Sequence, residues 1–392
     1  MNRRSIIAGI TGALAGLRRK TTRAARPGQP NIVVILADDQ SRDSIASMPN
    51  LKKFIADEGV TFLNTIIPSP VCSPSRATLL TGRYPHQTGV LRNDGGTGGF
   101  RAWKGKGNER RNLITWLNAG GYRTALIGKY FNGYPDGQQP PRGYDYTAFA
   151  STDAQAGDGY SGKSWILTLN GRAQPGSGYR TDVLNRLAVD FIEQSPEGQP
   201  IFLWLAHKAP HGPYEPDTPY RNDFNGERVP RTPAFNEASL ADKPSWLQRG
   251  PLDANEEREM DSDWRQTQQL LESVDKGIPT IINALERTRR LDNTWIFYLS
   301  DNGYFFGQHR MSAKAALYDE AAVFPIFMRG PGVQRGSIDT RVASTVDLAP
   351  TILEITGVEP TRTLAGRSLL QRPTRVAALM EVWSMRDPKR PN

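Results

Sequence analysis

The chain has 392 residues, of which 38% are apolar and 9% aromatic, a composition that excludes a disordered or fibrous protein. Its formal charge of +9 sits mostly in the leader: residues 1–26 hold Arg3, Arg4, Arg18, Arg19, Lys20, Arg23 and Arg26 with no acid, so the body is close to neutral and nucleic acid is not an expected partner. The single cysteine, Cys72, excludes an intrachain disulfide.

The chain begins "MNRRSIIAGITGALAGL", a basic start and a short run too weakly apolar for a permanent anchor. Arg3-Arg4 ahead of Ser-Ile-Ile, with "LRRKTTRAAR" behind, resembles a twin-arginine export leader over residues 1–28. The expectation is an exported protein, periplasmic or secreted, without a stable membrane anchor. The alternative is a basic tail on a cytoplasmic enzyme.

"NIVVILADDQ" (31–40) is an unbroken apolar run closed by two carboxylates, the pattern of a buried parallel strand with functional groups at its carboxyl end. "TALIGKY" (124–130), "IFLWLAHKAPH" (201–211), "TWIFYLSDNG" (294–303) and "FPIFMRG" (324–330) repeat it. Helical patterns fall between them at 48–59, 111–122, 181–194, about 256–290 and 346–357, and a further helix is expected after Pro74. Alternating strands and helices predict an α/β fold, a mostly parallel central sheet with helices on both faces. The segments 93–111 and 212–255 are long insertions with the character of functional rims.

Ligands of such sheets lie beyond the carboxyl ends of the strands. Asp38, Asp39, Lys129, His207, His211, Asp301 and Asn302 all fall there. Asp38, Asp39, Asp301 and Asn302 are hard oxygen donors, which select calcium or magnesium over zinc. A two-zinc phosphatase site does not suit four histidines and this oxygen-rich set. Paired aspartates alone would also fit a helix cap, and Lys314, in "MSAKAALYDE", would also fit a helix surface. Lys129, Lys314 and Arg76 are cations that could hold an anion. His207 and His211 are each either a proton donor or a packing residue. Cys72 is either a buried inert thiol or the chemistry itself.

"C-S-P-S-R" (72–76) resembles the Cys-x-Pro-x-Arg signature of the type I sulfatases, formylglycine-dependent members of the alkaline phosphatase superfamily. "PSPVCSPSRATLLTGRYPHQTG", "NIVVILADDQ" and "YLSDNGYFFGQH" extend the likeness over about residues 30–370. "GKYFNGY", "HKAPHGPY", "LESVDKGIPTIINALE" and "AVFPIFMRGPG" are similar to the N-acetylglucosamine-6-sulfatase-like branch. The resemblance implies a sulfatase catalytic domain over 29–370 that hydrolyses a sulfate ester of an amino sugar or glycosaminoglycan fragment. It implies that Cys72 becomes Cα-formylglycine by a formylglycine-generating enzyme and serves as nucleophile and metal ligand. One calcium would lie on Asp38, Asp39, Cys72, Asp301 and Asn302. Arg76 would support the formylglycine, Lys129 and Lys314 would bind the sulfate, and His211 would protonate the leaving alcohol. One hydroxyl of the hydrated aldehyde attacks sulfur and the second lets the aldehyde reform.

Two features depart from the family pattern. Many sulfatases carry a histidine two residues after the active-site lysine, where this chain has Phe131 and then Asn132. His86, His207 or Asn132 is expected to fill that role, and His309 to touch substrate. After "GRSLL" only a stub of the C-terminal antiparallel subdomain, 371–392, is present, and "TRVAALMEV" resembles its first strand. A formylglycine-dependent phosphodiesterase or phosphonate hydrolase, and an inactive truncated homologue, stay as alternatives.

Overall fold

In the computed structural model, residues 28–135, 139–150, 165–371 and 375–383 are described. The leader reading for residues 1–28 lies outside them except for Gly28, as does the end of the 371–392 stub.

The apolar runs pair side by side because each is buried on both faces. The strand Asn31–Asp38 has all eight residues buried and lies between the parallel strands Ile201–Pro210 and Thr294–Ser300, with Ile32 opposite both Phe202 and Trp295. Arg123–Gly128 and then Tyr146–Ala150 continue the parallel core. The full sheet has ten strands in the order Ser337–Asp339, Val60–Phe62, Ile326–Arg329, Thr294–Ser300, Asn31–Asp38, Ile201–Pro210, Arg123–Gly128, Tyr146–Ala150, Ile166–Leu169 and Arg172–Pro175. Five central neighbours run parallel, and antiparallel pairs confine themselves to the margins.

The helices Arg180–Glu193 and Ala254–Arg287 pack on each other and on the strand Ile201–Pro210. Asp253 caps the longer one, accepting from the N–H groups of Asn255 and Glu256 while the Glu256 carboxylate accepts from its own N–H. The helices Cys72–Thr81, Leu113–Ala119 and Leu348–Thr356 pack together, with Leu113–Ala119 against the strand Arg123–Gly128. The expected α/β architecture with a mostly parallel sheet is the observed one.

Four details differ from the expectations. The 324–330 run forms Ile326–Arg329, antiparallel to Thr294–Ser300; an apolar run carries no direction, and the connection holds a short hairpin, Phe305–Phe306 with Ser312–Ala313, and a four-residue helix, Asp319–Ala322, in place of the crossover helix that usually joins parallel neighbours. The strands Val60–Phe62, Tyr146–Ala150, Ile166–Leu169, Arg172–Pro175 and Ser337–Asp339 are short or polar and gave no distinct pattern. The insertion 93–111 holds the helix Gly99–Gly105 and the turn Asn108–Arg110. Of the run 374–382, read as resembling a strand, the described residues 375–382 belong to no strand or helix. Their segment is pinned instead by Arg375 on Asp347 at 2.5 Å and by the Glu381 N–H on the Pro68 carbonyl at 2.7 Å. No helix among the described residues is long and apolar enough to cross a membrane.

Candidate active site

The site forms where three parallel strands release their chains. At the end of Asn31–Asp38 the ladder register shifts between Leu36 and Asp38, and Asp39 turns into the left-handed region at φ 66°, which aspartate tolerates better than most residues. Asp38 and Asp39 thereby present both carboxylates on one side. The Asp39 N–H donates to Asp301 Oδ1 at 3.2 Å, and Asn302 Nδ2 donates to Asp39 Oδ1 at 2.7 Å. Asn302 Oδ1 is buried with no partner.

Cys72 is the first residue of the helix Cys72–Thr81 and is 1% exposed. Its Sγ lies 3.5 Å from Asp38 Oδ1, 4.0 Å from Asp39 Oδ1 and 2.9 Å from Lys314 Nζ. Four residues later, one turn on along the same helix face, Arg76 lies beside it: Nε donates to Asp301 Oδ2 at 2.9 Å, Nη1 donates to the Lys129 carbonyl at 2.9 Å, and Nη2 is 3.9 Å from Asp38 Oδ2.

Lys129 follows Gly128, whose φ is 102° and where a Cβ would meet the Ala206 carbonyl oxygen at 1.9 Å. The glycine lets the chain turn beneath the neighbouring strand and send Lys129 Nζ to Asp38 Oδ2. Lys314 Nζ binds Asp39 Oδ1. Lys314 is not on a helix surface: it is buried between Ala313 and Ala315, both at positive φ, 71° and 74°. Two alanines held in that region cost on the order of 1 kcal/mol each, a strain that keeps the ammonium aimed inward.

Three carboxylates thus face three cations, a balance that is electrically near zero at neutral pH. Burial alone would raise Asp38, yet Lys129, His211, Arg76 and Lys314 outweigh it and hold its carboxyl well below the usual range. Burial and then the neighbouring Asp38 push Asp301 up to about 6. Burial pushes the Cys72 thiol up to about 11, so the unmodified side chain is a neutral thiol and a poor nucleophile. Burial would strip the proton from Lys129 and Lys314, but Asp38 and Asp39 respectively overcome it and both stay charged.

The donor set fits a hard cation. Asp38, Cys72 and Asp301 each offer one ligand atom within 4.8 Å of the others, as do Asp38, Asp39 and His211. The orphaned Asn302 Oδ1 adds a neutral oxygen of the kind calcium or magnesium takes. A divalent ion added to a balanced centre leaves it positive, which suits an anionic ester.

The histidines separate by position. His211 Nδ1–H donates to the Gly212 carbonyl at 2.6 Å, which turns Nε2 toward Asp39 Oδ2 at 3.6 Å. Burial lowers its pKa, against the pull of Asp39 and Asp38. His207 does not act with it. The strand continues to Pro210, so His207 lies inside it, with neither ring nitrogen partnered among the described residues, and burial drops it to about 3. A histidine that stays neutral is no proton donor near pH 7.

His86 is not brought to the site either. It follows the far end of the ten-residue helix that Cys72 begins, about 15 Å away along the axis, and its Nδ1 pairs with Glu381 at 2.8 Å. His309 sits in a neighbouring layer, bound through Nδ1 to Glu237 at 2.7 Å and lying 3.5 Å from Glu320 through Nε2. Asn132 braces the start of the helix Cys72–Thr81: its Oδ1 accepts from Ser73 Oγ at 3.0 Å. Phe131 is core, packed on Trp103 at 4.6 Å between ring centres.

Three residues escaped the sequence reading. Asn93 Oδ1 accepts the Ser73 N–H at 2.8 Å, a capping role with no signal beyond an asparagine in a glycine-rich loop. Tyr214 and Tyr304 share a hydroxyl hydrogen bond and lie within the electrostatic reach of Asp39. Their signal was weak: an aromatic three residues after His211 and two after Asn302.

The sulfatase family profile matches residues 30–358. The chain belongs to the sulfatase family. This sulfatase-family chain is 33% identical over 382 residues to human N-acetylglucosamine-6-sulfatase, covering 92% of this chain and 66% of that protein. It therefore spans just under two thirds of that relative's length. In fold it resembles a protein solved in complex with its substrate D-glucosamine-2-N,6-O-disulfate, with TM-score 0.68, 24% identity, and coverage of 87% of this chain and 79% of that one. It also resembles the phosphonate monoester hydrolase of Agrobacterium radiobacter, with TM-score 0.64, 20% identity, and coverage of 87% and 76%.

Proposed function

We propose that the chain hydrolyses a sulfate ester, with Cys72 converted to Cα-formylglycine and one calcium ion held by Asp38, Asp39, Asp301, Asn302 and the modified Cys72. The observation that carries this reading is the Cys72 side chain at a helix start, 2.9 Å from Lys314 Nζ and beside three buried carboxylates. Calcium would supply charge to the reacting oxygens, and the aldehyde would supply a nucleophile that can be regenerated, unlike a plain thiol.

The chain's own residues do the rest. Lys129 and Lys314 hold the anionic group, and Arg76 locks the helix start to Asp301. His211, alone of the four histidines, turns a ring nitrogen toward this centre, and it delivers a proton through Nε2 to the departing alcohol. A sulfated amino sugar or glycosaminoglycan fragment is the substrate class, supported by the human relative's name and by the sugar disulfate bound in the structural neighbour. Maturation requires a formylglycine-generating enzyme, and the leader directs export by the twin-arginine route.

The second reading, attack on a phosphodiester or phosphonate, is favoured by the fold likeness to the phosphonate hydrolase. Hydrolysis of an aryl sulfate is compared with that of an aryl phosphodiester under calcium or manganese, with and without a chelator. Preference for the sulfate and loss of turnover on chelation are expected; a large preference for the diester would overturn the assignment. The mass of the peptide carrying Cys72, purified from the native host, separates thiol from aldehyde and tests the inactive-homologue alternative.

A further inference from the structure

Away from the catalytic centre, the Arg362 guanidinium makes no ion pair among the described residues. Arg362, half-buried in the loop after the helix Leu348–Thr356, has its Nε buried with no hydrogen-bond partner. Its Nη1 and Nη2 share a single acceptor, Asn108 Oδ1, at 3.4 and 3.3 Å, both long for such bonds. The charges that act on it are two more arginines, Arg83 and Arg111; burial first, and then these two, pull Arg362 down to about 10, and no carboxylate offsets them.

The arrangement is pinned from three sides. The Gly82 carbonyl, next to Arg83, accepts from the N–H groups of Ala365 and Gly366 at 2.8 and 3.2 Å. Trp116 Nε1 donates to Thr361 Oγ1 at 2.9 Å. Asn108, three residues before Arg111, donates through Nδ2 to the Thr88 carbonyl at 2.8 Å. Three loops are therefore tied together; they carry Arg83, exposed Arg111 and half-buried Arg362, and at Arg362 burial and the two like charges both oppose the guanidinium.

An oxyanion resolves that conflict. Guanidinium forks match the oxygens of a tetrahedral anion two at a time, and three forks offer more donors than the two oxygens of a carboxylate can accept. Around them, the insertion 93–111 carries five basic residues against two acids, an electropositive approach. The cluster is not the reaction site: Arg83 follows the C-cap of the helix that starts at Cys72, about 15 Å from the thiol by helix rise.

We propose that Arg83, Arg111 and Arg362 form a second oxyanion-binding site, which takes a sulfate or phosphate group remote from the catalytic centre. The group is either free or carried on a larger sulfated ligand. The site does not depend on the reaction proposed above.

The full chain is crystallised and soaked with selenate, and its anomalous signal is expected within hydrogen-bond reach of Arg362. In solution, inorganic sulfate and a heparin-derived tetrasaccharide are titrated at matched ionic strength into the wild type, Arg362→Gln and Arg111→Gln. The last variant is on the surface and guards against misfolding of the first. Weakening by at least about tenfold for both ligands identifies a free-anion site, and weakening for the tetrasaccharide alone identifies a polymer-borne group. Selenate found only at Lys129 and Lys314, or unchanged binding of both ligands in both variants, overturns the proposal. Aryl sulfate turnover, if present in the wild type, is expected to be unchanged in both variants.

Discussion

Replacing Cys72 by alanine separates chemistry from architecture. The side chain is buried, but its Sγ is a single heavy atom, so its removal costs about 1 kcal/mol in lost burial and cavity. No charge is stranded, because Lys314 keeps its Asp39 partner and Lys129 keeps Asp38. Such a loss lowers the melting temperature of a protein this size by about 2 °C. In the proposed reaction the same change deletes the nucleophile and should reduce kcat by a factor on the order of 10⁶. Calorimetry and aryl sulfate hydrolysis on the same preparation read both quantities. Retention of more than about one hundredth of the activity would show that another group attacks, because a nucleophile cannot be replaced by binding alone. A fall in melting temperature of about 10 °C or more would show that the thiol holds the centre together, against the contacts described.

Three other outcomes follow from the same geometry. Gly128→Ala places a Cβ 1.9 Å from the Ala206 oxygen at φ 102° and should destabilise the chain by about 3 kcal/mol in urea unfolding, with weakened aryl sulfate binding as Lys129 shifts. His207→Leu removes two unpartnered ring nitrogens from the interior and should leave turnover within a few-fold and stability unchanged or higher; a loss of activity comparable to that of Cys72→Ala would restore His207 to the mechanism. Burial, then Glu259, raises Asp263 on the long helix to about 6, against about 3.9 in an unfolded chain. The folded state therefore binds more protons between these values, and its stability falls as pH rises from about 4 to 6. Asp263→Asn should gain about 2 kcal/mol at pH 7 and nothing near pH 4, as read by denaturant midpoints at the two pH values; an equal gain at both would refute the titration.

The strand core was legible because its signal is local. A run such as "NIVVILAD" is apolar on both faces, and only a strand covered on both sides buries all of it. Asp38, Asp39, Lys129, Asp301 and Asn302 followed, since sheet topology carries polar residues at strand ends to one rim. His207 was misplaced by three residues of strand length: sequence marks where apolar character fades, not where the ladder stops. His86 was misplaced because a helix separates it from Cys72, a distance that nearness in sequence conceals.

The sequence by itself determined the alternation of strands and helices, the oxygen-rich donor set, the lone cysteine in its Cys-x-Pro-x-Arg setting and the family likeness, all of which depend on residue type and short spacing. Only the tertiary structure decided which cation meets which carboxylate, that Lys314 is held inward by two alanines at positive φ, and that His211 and not His207 faces Asp39. It also tied together the three loops that carry Arg83, Arg111 and Arg362. These depend on backbone turns and on contacts between segments up to 279 positions apart, from Arg83 to Arg362, and no local pattern encodes a meeting of that range.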